Sequence, residues 1–287
     1  AVMADDARDL VLRISKAVSA IGGLQAYDAP DPEGDPSPTD LQRRMAQGDA
    51  FALALRRLGA LTPASLYVDL GAGSGHVAHR IRSALPAECG ARFLLVDQQE
   101  RGSPGEAADV LRVQADMDKI TSWPMLQALA GDGGGPAPEA EEVAVVANHL
   151  CGSAIDRSID VFGAEPRVRA FLAATCCHDR LRWESYCNRP FFERLGFNRE
   201  DFHRMAAWTA LAPRRNRPPE DRVKVLAASD LTGLPPAACE RLGLSCRALV
   251  DAGRCARLAD LGMRAELAKH VSFRMTADNV MIKAWRP

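Results

Sequence analysis

The segment Asp69-Leu70-Gly71-Ala72-Gly73-Ser74-Gly75 sets an acid two residues ahead of three alternating glycines. Glycines at that spacing let the backbone turn tightly and approach a ligand closely. The pattern is G-x-G-x-G, not the G-x-G-x-x-G that cradles a pyrophosphate. An acid before such a loop suits an ammonium group, directly or through water. Asp97 stands 22 residues after Gly75, where a carboxylate can accept bonds from both hydroxyls of a ribose. Asp116 stands further on, within reach of an adenine amino group. Three acids in this order suit a nucleoside that also carries an ammonium group. Two histidines follow apolar runs: Asn148-His149 after Val143–Ala147, and His178 after Val168–Thr175. A histidine titrates near neutral pH and can act as a general base.

These residues need elements to hold them. Residues 66–70, 92–97, 111–116, 143–147 and 168–175 read as short apolar strands, with helices fitted to 76–85, 121–130 and 153–163. Strands that are apolar on both faces and alternate with helices predict a parallel sheet covered on both sides. The acids and both histidines then fall at strand ends along one rim, where active sites of doubly wound sheets form. Helices also fit 4–21 and 40–58, with Thr39 able to cap the second. Beyond the fifth strand the rhythm changes. Residues 187–210 and 237–261 read as helical, and 263–271 and 279–285 as a closing pair of strands. Three segments rich in proline, glycine or acids read as loops: 28–38, 131–138 and 211–221, the last a mobile linker. The expected organisation is a helical extension over 1–60 and a main domain over 61–287, with a helical insertion at about 180–236.

Composition narrows the class. The 287 residues are 47% hydrophobic and 25% charged, which excludes a chain disordered throughout. No apolar run approaches the roughly 18 residues of a membrane helix, so no membrane partner is expected. No basic stretch with an apolar follow-on opens the chain. It begins at Ala1 rather than Met, as a piece of a longer protein would. The net charge of −1 hides basic stretches: residues 178–224 hold eleven basic and seven acidic side chains. Such a balance suits a phosphate-rich partner, or else solvated helix faces. None of the eight cysteines forms a C-x-x-C pair, and adjacent cysteines seldom chelate one ion together. Cys176-Cys177-His178 with Cys187 is therefore not read as a metal site. Reduced core thiols fit an intracellular protein, cytoplasmic or nuclear.

The glycine loop with Asp69, Asp97 and Asp116 resembles class I S-adenosylmethionine-dependent methyltransferases. The fold this implies is α/β: a Rossmann-like doubly wound sheet, mostly parallel with an antiparallel closing strand, plus a helical insertion after strand five. Ala72, Met117 and Asn148 complete the candidate cofactor set beside Asp69, Gly71, Gly73, Gly75, Asp97 and Asp116. A narrower likeness follows. Asn148-His-Leu-Cys-Gly-Ser-Ala-Ile-Asp156 resembles the H-L-C-G-x-A-x-D motif of eukaryotic tRNA 2′-O-ribose methyltransferases acting on the fourth nucleotide of the acceptor stem. Cys176-Cys-His-Asp-Arg-Leu-Arg-Trp-Glu-Ser-Tyr186 is similar to that family's C-C-H-H-x-C-x-W-x-x-Y. Phe191-Phe-Glu-Arg-Leu-Gly-Phe, Arg204-Met-Ala-Ala-Trp208, residues 242–254 and Thr276–Val280 continue the likeness. It spans about residues 64–284.

The chain departs from that pattern at Asn148, usually Lys, at Asp179, usually His, and at Leu181, usually Cys. The family's small N-terminal zinc-binding modules are also not in this sequence. The resemblance implies methyl transfer from S-adenosylmethionine to a ribose 2′-hydroxyl of a tRNA acceptor stem. His149 is the first candidate base and His178 the second, with Asp156 to orient one of them or to meet RNA. Arg182 and Arg204 are candidates for phosphate, and Trp183 and Trp208 for base stacking or for packing. The Lys-Asp-Lys-Glu set of another 2′-O-methyltransferase class is not seen. Two alternatives stay open: the same fold acting on protein or a small molecule, and an RNA-binding relative without catalysis. Oligomeric state is not readable.

Overall fold

A computed structural model describes residues 2–28, 38–99, 107–132, 140–213 and 219–287. Most of the three predicted loops, 29–37, 133–139 and 214–218, lies outside the described residues, as does 100–106. Helices α1 (Val2–Ala20), α2 (Gln25–Asp28) and α3 (Asp40–Arg57) come first. Then β1 (Leu66–Leu70), α4 (His76–Ser83), β2 (Arg92–Asp97), β3 (Val110–Gln114), α5 (Trp123–Asp132), β4 (Val143–Asn148), α6 (Ser153–Gly163) and β5 (Val168–Ala174) alternate. After β5 come α7 (Arg189–Arg194), α8 (Arg199–Trp208), α9 (Pro219–Thr232) and α10 (Pro236–Asp260), then β6 (Arg264–Lys269) and β7 (Val280–Trp285).

Among the described residues, seven strands form one sheet in the order β3-β2-β1-β4-β5-β7-β6. The first five run parallel, and β7 lies antiparallel between β5 and β6. The order reverses between β1 and β4, so a crevice opens at their carboxyl ends. Strand alternation divides β1 between two cores. Leu66, Val68 and Leu70 face a core built with α5 and α6, and Tyr67 faces one built with α3 and α4. Asp69 shares the Tyr67 face. Thr39 caps α3 as expected: its hydroxyl accepts from the Gln42 amide, and Gln42 Oε1 accepts from the Thr39 amide at 2.7 Å.

A third core is helical. It joins Leu10 and Ile14 of α1 with Phe192, Phe202 and Met205 of the insertion and Leu249 of α10. Helices α1 and α3 thus serve different cores: α1 packs on α9 and α10, and α3 on α4. The linker expected up to Asp221 is shorter, because α9 already starts at Pro219, whose fixed φ suits a first helical turn. Among the described residues no helix is long and apolar enough to cross a membrane.

Candidate cofactor and active site

The glycine loop leaves β1 tethered to its neighbour. The amides of Gly71 and Ala72 donate to the carbonyl of Val96, at 2.8 and 3.1 Å. Gly71, Gly73 and Gly75 have φ of 67°, 54° and 78°, the left-handed region that glycine enters without strain. At Gly75 a Cβ would also lie 2.8 Å from Leu95 Cδ2 and 2.9 Å from an Arg112 nitrogen, so both side chains would have to give way. Asp97 then accepts from one loop amide and from one just past β2. Gly73 N–H donates to Asp97 Oδ2 at 2.8 Å and Gln99 N–H to Oδ1 at 2.9 Å. A carboxylate accepts about four bonds, so among the described residues two of its lone pairs remain for a ligand.

Asp97 lines a cavity of about 460 Å³ at the carboxyl ends of β1 to β4. Gly71, Asp116, Met117, His149, Cys151 and Arg180 share its wall. Asp116 Oδ1 accepts from the Asp118 amide at 3.1 Å and Oδ2 lies 3.5 Å from Lys119 Nζ. His149 has φ of 64°, the one non-glycine positive φ among the described residues. Such strain is held where the surroundings fix the residue, and it clusters at active sites. Gln47 of α3 does part of that fixing: its Nε2 lies 3.1 Å from His149 Nε2. Asn148, at the end of β4, is buried; its Nδ2 donates to His76 Nε2 at 3.2 Å, while its Oδ1 has no hydrogen-bond partner among the described residues.

Other expected residues are elsewhere. Asp69 lies under α4, off the cavity wall, where it accepts from the Ala78 amide at 3.3 Å. Burial pushes its carboxyl up to about 7. Its place follows from strand alternation, which turns it to the Tyr67 face. Asp156 is fully buried and spent on Arg254, whose Nε and Nη2 lie 3.2 and 2.7 Å from its two oxygens. His178 is 3% exposed, with Nδ1 at 2.6 Å from the Cys176 carbonyl and Nε2 at 3.0 Å from Asp251 Oδ2. Neither Asp156 nor His178 reaches the cavity, so the catalytic roles expected of them are replaced by structural ones. Trp208 is buried in the helical core and Trp183 stands edge-on to Phe202, 5.4 Å between rings. Trp208 is thereby withdrawn from base stacking. Arg182 is exposed and Arg204 half-buried.

The hub of this buried network was not singled out in the sequence. Asp251 on α10 accepts from Tyr27, Thr175 and Arg254, at 2.7, 2.8 and 3.0 Å, besides His178. Burial alone would raise its carboxyl, but the facing His178 and Arg254 hold it well below the usual carboxylate range. Gln47 was missed as well, since it lies 102 residues from His149 and only the packing of α3 brings it near.

Sheet order, antiparallel β7 and the glycine loop over the reversal point define a class I methyltransferase fold. The family model described as Methyltransferase TRM13 matches residues 46–285, and the chain belongs to that family. A relative in Yarrowia lipolytica, the "tRNA:m(4)X modification enzyme TRM13", is 25% identical over 262 residues, covering 79% of this chain and 56% of its own length. The Homo sapiens homolog is 22% identical, covering 80% and 62%. The chain therefore spans a little over half the length of these relatives. Among solved structures, the plantazolicin methyltransferase BpumL in complex with SAH is similar over 100% of both chains, with 9% identity and a TM-score of 0.39.

Proposed function

We propose that this chain methylates the 2′-hydroxyl of a ribose in a tRNA acceptor stem, at the fourth nucleotide, with S-adenosylmethionine as donor. The observation that carries the reading is a single cavity whose wall holds Asp97, Asp116 and His149 together. Its volume of about 460 Å³ suits a nucleoside-sized ligand. The donor set fits that cofactor. Asp97 has two acceptor positions left for a ribose, and Asn148 Oδ1 is a buried acceptor without a donor, as an ammonium would supply. When bound, S-adenosylmethionine supplies a methyl group on a positively charged sulfur.

The protein's own part is positioning and proton removal. In-line displacement gains most from fixed geometry, which the tethered glycine loop and the strained His149 backbone provide. His149 Nδ1 receives the hydroxyl proton. For this, Nε2 must carry the ring's other proton, and Gln47 must turn its amide oxygen toward it. Arg180 on the cavity wall and the exposed Arg182 would meet phosphate. The names of the relatives support tRNA over protein or a small molecule as substrate. The test is methyl transfer to tRNA lacking the modification, with the product mapped by nucleotide and by position on the sugar. Transfer to a base instead of a ribose would overturn the 2′-hydroxyl reading.

A further inference from the structure

Three thiols converge beside this cavity and have no part in the reaction just described. β4 and β5 are parallel neighbours with Asn148 opposite Ala174, so the residues just past their ends meet. Cys151 Sγ lies 3.3 Å from Cys176 Sγ and 3.0 Å from Cys177 Sγ, and the last two are 3.6 Å apart. Cys176 is buried and the other two are half-buried. Thiols are weak donors and weak acceptors, so three neutral S–H groups gain little by crowding together. Thiolates around a d10 ion have more to gain. With a metal–sulfur distance of about 2.3 Å, a tetrahedral ion holds its sulfurs about 3.8 Å apart, a small outward turn from what is seen.

We propose that Cys151, Cys176 and Cys177 form a three-thiolate binding site for a thiophilic divalent d10 ion, zinc above all. The three sulfurs lie close enough together for one ion to be held by all of them, and binding a cation would displace the thiol protons. Three protein ligands leave one position, and Cys151 is on the cavity wall, where water can complete the shell. The ion would clamp the loop after β4 to the loop after β5. Its reach extends to His149, whose carbonyl lies 3.4 Å from Cys151 Sγ. The site would therefore fix the left-handed backbone of His149 without touching substrate.

The test is metal content, read independently of activity. The full chain is purified under reducing conditions without chelator, and zinc is counted by elemental analysis and by release to a chromophoric chelator when thiols are blocked. The expected result is about one zinc per chain. Cobalt in its place should give near-ultraviolet thiolate-to-metal absorption. C151S and C177S should each weaken zinc binding at least tenfold, and C89S, far from the cluster, should not. Should C151S fail to fold, the half-buried C177S still decides the question. Zinc bound no more tightly by the parent chain than by C177S would overturn the proposal. So would a Cys151–Cys177 disulfide in the isolated protein, seen by mass spectrometry.

Discussion

Asp97 and Asp69 stand on neighbouring strands, and packing gives them opposite tasks. Asp97 ties the glycine loop down while facing the cavity, so Asp97→Ala should weaken S-adenosylmethionine at least tenfold, about 1.4 kcal/mol or more, in a calorimetric titration. Asp69 is buried under α4 with its carboxyl raised to about 7. The folded chain then holds that proton more tightly than the unfolded chain, so stability falls as pH climbs from about 4 to about 7. Asp69→Asn should flatten this fall, seen as a smaller drop in Tm between pH 5 and pH 8. Gln47 gives a third expectation. Gln47→Leu should lower kcat roughly tenfold while leaving cofactor affinity unchanged, because it contacts the His149 ring and does not line the cavity. Asp97 was legible as a rim residue because it ends β2, and Asp116 falls two residues past β3. Asp69's burial was not, because which face of β1 it occupies depends on packing by α4. His178 and Asp156 misled for a related reason: both sit in motifs at the catalytic rim, but Asp251 and Arg254 of the distant α10 draw them inward.

At the level of elements, α10 holds the molecule together. Arg254 is a buried cation between Asp156 of α6 and Asp251 of its own helix. Arg254→Met would leave two buried carboxylates short of a partner and should cost about 3–5 kcal/mol, read from the urea midpoint. Gly243 marks another close approach: a Cβ there would lie 2.3 Å from Ala212 N and 2.8 Å from Leu211 C, both backbone. Gly243→Ala should therefore destabilise by about 1–3 kcal/mol. Elements were the most readable level. β1, β2 and α6 match the sequence reading because each is a clean apolar or amphipathic run with glycine punctuation. What escaped was α9, because its opening prolines read as linker while its stability comes from packing on α1 and α10. The thiol cluster escaped too: Cys151 and Cys176 are 25 residues apart, and only the pairing of β4 with β5 joins them.

For the whole molecule, net charge is a poor guide and distribution a better one. Much of the basic excess in α10 is internally used, with Arg247 paired to Asp278, Arg254 buried, and Arg257 paired to Asp160. On the proposed function, exposed Arg182 and the exposed arginines of α7 would be what remains for phosphate. If they meet phosphates, tRNA affinity should fall linearly on a log–log plot against salt, by about 0.9 in slope per phosphate neutralised on duplex. The measurement that tests the account most directly is transfer of label from S-adenosylmethionine to tRNA lacking this modification, mapped by nucleotide. The account predicts label on the ribose 2′-oxygen of the fourth acceptor-stem nucleotide, lost in His149→Asn, a replacement that tolerates the same left-handed backbone. Label on a base or at another position, or undiminished transfer by a folded His149→Asn chain, would contradict it.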